Sequence, residues 1–175
     1  NDNPVTHRSI MYWAKKEDPE RYEMVRHETL DYYIMETIKA YTDWDLAQVL
    51  YMLYKDRYVC ASIKHDIWYE YRNHKWHEID SGVNLKVALS KEVSALYVAK
   101  VQELTHKSMG LSGDDPEQQK MQQSVRATVE IVSKVKNFTT KSNIIKEAKS
   151  VFYVSNFLNY LDTNPYLMCF NNGVV

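Results

Sequence analysis

Three histidines and four carboxylates crowd one short stretch of this sequence: His65, His74 and His77 beside Asp66, Glu70, Glu78 and Asp80. Imidazole and carboxylate are donors that zinc and iron accept. A small metal-dependent enzyme using His65, His74 and His77 is therefore one reading. The plainer one places His74 in solvent at a turn and pairs His77 with Glu70 across a β-hairpin. The spacing favours the plainer one, because His74 and His77 fall on opposite faces or nearly so, and no metal ligand is assigned.

Other chemistry finds less footing. Cys60 stands between Val59 and Ala61, and Cys169 between Met168 and Phe170, the surroundings of core thiols rather than nucleophiles. Neither belongs to a CxxC pair, and two cysteines in a Lys/Glu-rich chain fit a reducing compartment. No serine lies in a G-x-S-x-G context. A phosphate-binding loop needs clustered glycines followed by lysine. The glycines here are at 82, 110, 113 and 173, and none precedes a lysine. Gly110-Leu111-Ser112-Gly113 has the GxxG spacing of an RNA-clamping loop, but it runs into Asp114-Asp115, which repel phosphate. An interhelix loop is the plainer reading. No catalytic residue is assigned.

Basic residues carry more. Lys134, Lys136, Lys141, Lys146 and Lys149 face Glu147 alone, a local charge of +4. Lysine without arginine suits phosphate contact rather than reading of base edges. Arg72, His74 and Lys75 lie beside Trp68 and Trp76. Basic and aromatic residues on a hairpin suit a winged-helix wing or a platform for stacking single strands. The candidate DNA-binding set is therefore Arg72, His74, Lys75, Trp76 and the five lysines. Against this, such lysines also make a solvated helix face, and tryptophans also pack inward. Residues 17–45 hold nine acids and three bases, net −6, and read as helix starts and solvated faces.

These residues must be positioned by a chain of 175 residues and 20.7 kDa, long enough to bury roughly 70% of its unfolded surface. Hydrophobic residues are 45% and charged residues 26%, which excludes disorder as the main state. Four glycines and four prolines argue against a sandwich or barrel and for helices. No stretch approaches 18 apolar residues, so no membrane partner is expected. Residues 1–18 read as polar and irregular. Asp18-Pro19-Glu20 opens a helix running to about 41, and Thr42 with Asp45 caps another running to about 55. The period then drops to two. Residues 58–63 form a strand, and 67–79 a hairpin about Asn73-His74 that sets Tyr71 opposite Trp76, Glu70 opposite His77 and Trp68 opposite Ile79. Helices over 83–106, from Pro116 to about 135, and over 142–161 follow, the last apolar on two sides and so central. A break separates the last two at 137–140. Asn164-Pro165 leads into a terminal strand, with a turn at Asn172-Gly173. The chain stops inside an apolar, strand-like pattern, which points to a piece of a longer protein. The expected fold is mainly α with a small β-hairpin or short sheet, an α+β chain for which a winged-helix arrangement is one form.

At the hairpin the sequence resembles a known family. Trp68-Tyr69-Glu70-Tyr71, Trp76 and Asp80 are similar to the signature of the region N-terminal to the superfamily 3 AAA+ helicase in primase–helicases of poxviruses and giant viruses. Ser9, Tyr12-Trp13-Ala14-Lys15, Thr42-Asp43-Trp44-Asp45, Leu161-Asp162, Asn164-Pro165 and Phe170-Asn171-Asn172-Gly173-Val174 resemble other parts of that region. The resemblance implies a linker after the primase over 1–18, a helical intermediate domain over 19–161, and a strand leading into the helicase over 162–175. It implies a non-catalytic replication module that contacts single-stranded or forked duplex DNA, organises a homo-hexamer, or both. The alternative is a pure interaction collar without DNA contact. It implies no cofactor here, but ATP and magnesium for the parent helicase, in a viral replication factory of the host cytoplasm. The chain carries no Walker lysine and no primase acid cluster, so no catalytic residue is carried over.

Overall fold

A computed structural model of the chain describes residues 7–110, 116–161, 169–170 and 173–174. Three helices come first: α1 (His7–Glu17), α2 (Pro19–Lys39) and α3 (Asp43–Tyr54). Asp18 caps α2 by accepting from the Arg21 amide, with Pro19 in the first turn, where its missing N–H costs nothing. Thr42 Oγ1 accepts from the Asp45 amide at 3.0 Å and starts α3. The helix α1 departs from the irregular segment expected over 1–18. Its apolar Met11 and Ala14 lie three apart and line a cleft with Tyr22 and Val25 of α2.

The strands β1 (Tyr58–Ser62), β2 (Ile67–Arg72) and β3 (Lys75–Asp80) form an antiparallel sheet in the order β1-β2-β3. The hairpin register is the expected one: Trp68 faces Ile79, Glu70 faces His77 and Tyr71 faces Trp76. Asn73 and His74 have φ of 50° and 62°, as a two-residue turn matching the strand twist requires. Gly82, also left-handed at φ 62°, then turns the chain into α4 (Val83–Ala88). A Cβ there would sit 3.5 Å from both Ile145 Cγ2 and Trp68 Cε2, so Gly82 is also where the turn touches the core.

A single π-helical turn, Leu89–Val93, joins α4 to α5 (Ser94–Met109), and α6 (Pro116–Lys134) packs against α5. The final helix α7 (Phe138–Phe152) packs on α3. It starts earlier and ends sooner than the expected 142–161. The break read at 137–140 is its cap: Asn137 accepts from the amides of Thr139 and Thr140. After Phe152 the chain extends, and the Val154 amide donates to the Cys60 carbonyl at 3.1 Å, laying this segment beside β1. The apolar run 151–154 thus belongs partly to a strand-like segment, because burial imposes the same composition on either form. A short 3-10 turn follows at Phe157–Tyr160. The fold is mainly helical α+β.

One core joins all layers. Leu46, Val49 and Leu50 of α3, Trp68, Leu85, Leu89, Tyr97, Ile131, Ile144 and Phe152 are fully or nearly fully buried. Trp68 stands at its centre, 5.5 Å from the Phe152 ring, and donates its indole N–H to Asp66 at 2.9 Å. Cys60 is buried as expected, and burial pushes its thiol up to about 11. The terminal hairpin falls mostly outside the described residues. Its strands β4 (Cys169–Phe170) and β5 (Gly173–Val174) pair Cys169 with Val174 and Phe170 with Gly173. Residues 1–6, most of the GxxG loop, and the residues carrying the 162–168 part of the resemblance also lie outside.

Candidate nucleic-acid interface

The hairpin is clamped by one carboxylate. Strand alternation turns Trp68 and Glu70 to the same, inner face. A buried carboxylate needs partners, and Glu70 is saturated with them. Its Oε1 accepts from Arg57 Nε at 2.9 Å, Arg57 Nη2 at 2.7 Å and the Tyr58 hydroxyl at 2.9 Å, and its Oε2 from Asn84 Nδ2 at 3.0 Å. Burial alone would raise the Glu70 carboxyl. The Tyr58 and Arg57 donors outweigh it and hold the group below the ordinary carboxylate range. These bonds tie β2 to the end of α3, to β1 and to α4. The expected His77–Glu70 pair is therefore not made: the two are register neighbours, but Glu70 is taken, and His77 Nε2 is buried without a hydrogen-bond partner. Among the described residues no three His, Cys, Asp or Glu side chains gather as a metal group would need. His65 and His74 are exposed, the latter at the hairpin tip.

The other face of the hairpin is aromatic. Tyr71 and Trp76 lie 5.1 Å apart, Trp76 and Phe157 5.1 Å, and Tyr69 and Phe157 5.3 Å. Phe157, carried by the 3-10 turn, thus pins the hairpin from outside. Beyond this stack the tip projects Arg72, His74 and Lys75, all exposed.

The five lysines do not share one surface. Lys134 stands over the Tyr41 ring at 3.9 Å. Lys141 shares the inner face of α7 with Ile144, Ile145 and Ala148, and its Nζ donates to Ser90 Oγ at 2.9 Å. Lys149, mostly buried, is 3.0 Å from Asp66 Oδ1. Burial would raise the Asp66 carboxyl, but the bonds from Lys149 and Trp68 hold it low. Asp66 precedes β2 and the tip follows it, so six residues of strand, about 20 Å, separate Lys149 from the tip. Lys136 and Lys146 are exposed, with no partner among the described residues.

Sequence reasoning missed two features. One is the Glu70 clamp, signalled only by a carboxylate on the apolar face of a strand. The other is a cleft of about 330 Å³ roofed by α1 and floored by the end of α3, β1 and the segment after α7. Tyr12, Lys15, Lys55, Trp76 and Tyr153 line it.

Residues 47–175 match the family model described as "D5 N terminal like". The chain belongs to that family. Similar proteins come from several viruses. "Putative helicase L207/L206" of Acanthamoeba polyphaga mimivirus is 36% identical over 166 residues, which are 95% of this chain and 17% of that protein. "Putative primase C962R" of African swine fever virus is 23% identical over 190 residues, 99% of this chain and 20% of that protein. "Putative helicase 121R" of Invertebrate iridescent virus 3 is 26% identical over 155 residues, 76% and 16%. The chain spans a fifth or less of the length of these relatives. The family and these names agree with the resemblance drawn from the hairpin: this is a domain related to viral replication primase–helicases.

Proposed function

We propose that this chain is a non-catalytic intermediate module of a viral DNA-replication primase–helicase and that it contacts DNA. The observation that carries the reading is the exposed basic tip, Arg72, His74 and Lys75, on a hairpin clamped by Glu70 on one face and Phe157 on the other. A rigid basic projection pays little ordering entropy when it meets phosphates. Lys136 and Lys146 extend the contact, whereas Lys134, Lys141 and Lys149 serve mainly the fold. In this reading the parent protein carries a primase before this module and a hexameric superfamily 3 AAA+ helicase after it. ATP and magnesium act in the helicase, no cofactor acts here, and the assembly works on single-stranded or forked DNA in a replication factory of the host cytoplasm, away from membranes. Replacing Arg72 and Lys75 together by glutamate should weaken DNA binding and make it less salt-dependent. Unchanged affinity would overturn the tip's role.

A second reading is a collar that docks to neighbouring subunits without touching DNA. It is favoured by the exposed apolar side chains Ile10 and Trp13 on α1 and Met24, Val25 and Tyr32 on α2. Light scattering on the full-length protein decides it. Trp13→Asp with Met24→Asp should break the ring if this face is the collar, and an intact ring rejects it.

A further inference from the structure

We propose that the cleft beneath α1 is a stacking site for unpaired bases, so that the nucleic acid this module holds is a single strand. The inference rests on the DNA-contacting reading above and assigns it a different site from the lysine tract. The cleft measures about 330 Å³, within the roughly 300–1,000 Å³ of small-ligand sites. Its walls include rings: Tyr12 is 64% exposed, Tyr153 is 44% exposed, and Trp76 lines the same cleft. Exposed aromatic planes around a cleft suit base stacking, which every base can satisfy through its π-face.

The charges fit the same ligand. Lys15 and Lys55 line the cleft against a single acid, Asp56. Arg57 stands next in the chain, its guanidinium 5.4 Å from the Tyr58 ring and its side chain 56% exposed although one edge holds Glu70. A strand leaving the cleft past Trp76 would run along β3 to Lys75 and Arg72 at the tip. Aromatic planes with flanking cations are the combination that tracks a single strand without reading its sequence. A duplex, whose bases are already stacked, gains nothing from these rings.

Fluorescence anisotropy tests this with a labelled oligothymidine of about 12 nucleotides and a duplex of equal length. Tyr12→Ala and Tyr153→Ala remove side chains that are 64% and 44% exposed, and melting curves report whether either variant loses the fold. Each is expected to lower single-strand affinity at least about 5-fold while leaving duplex binding unchanged, and Tyr153→Trp should retain affinity. Tryptophan fluorescence should fall on titration, and less so in Trp76→Phe. If both alanine variants bind like the parent while Arg72→Glu with Lys75→Glu does not, the cleft is wrong and the DNA-contacting reading stands. If the unaltered chain binds neither probe, both fail.

Discussion

Glu70 is 2% exposed, and its two oxygens accept four hydrogen bonds from three residues. Removing it frees Arg57 and Asn84 to reach water but leaves the buried Tyr58 hydroxyl without its acceptor. Glu70→Ala should therefore cost about 3 kcal/mol, read as a lower urea midpoint. Arg57→Ala leaves the carboxylate with Tyr58 and Asn84 and should cost about half as much. The shift of Glu70 also fixes a pH dependence. Its folded-state pKa lies below its unfolded value of about 4.3. The stability it contributes is complete above that value and is lost as pH falls through the folded-state one. Asp66 and Glu103 are shifted in the same direction. Urea melts between neutrality and pH 3 should show stability falling below about pH 4.3, and less steeply in Glu70→Gln. Equal slopes would contradict the clamp. Lys100 is a counterpart elsewhere: it joins α2 to α5 through Asp31 at 2.6 Å and Glu103 at 3.0 Å, and these partners outweigh the burial that would lower it.

Between the elements, the hairpin is held from both faces, and two substitutions separate holding from surface chemistry. Phe157→Ala removes the ring that touches Tyr69 and Trp76 and should cost about 3 kcal/mol, the usual loss for a buried aromatic. Lys146→Glu alters an exposed position of α7 and should change stability by less than about 0.5 kcal/mol. Chemical denaturation distinguishes them. The elements also show what the sequence made legible. The hairpin register followed from a period of two and a two-residue turn, both local. The Glu70–Arg57 pair spans 13 residues and a strand boundary, so no local pattern carries it. Lys141 was counted as surface charge, although its spacing to Ile144, Ile145 and Ala148 already placed it inward. Helix α1 was obscured because its apolar residues, Ile10 to Ala14, run consecutively rather than at helical spacing and charged residues follow them. The end of α7 was overrun because an apolar segment with no glycine or proline carries no signal for its change from helix to extended chain.

Across the molecule, a net charge of −1 hides an acidic stretch at 17–45 and a lysine tract at 134–149. The fold uses much of that tract internally, through Tyr41, Ser90 and Asp66. Of the candidate basic residues, the hairpin tip, Lys136 and Lys146 stay exposed, with no side-chain partner among the described residues. The chain's family and its viral relatives agree with a domain related to replication primase–helicases. A DNA-contacting module of that kind needs a bound strand to meet those free groups. Affinity for oligothymidine, followed over a series of salt concentrations in the parent chain and in Arg72→Glu with Lys75→Glu, reads this directly. Loss of affinity with a slope of log K against log salt shallower by about 0.7 for each phosphate contact removed is the expected result. Identical affinity and slope in the two proteins, or no binding by the parent chain, would contradict it.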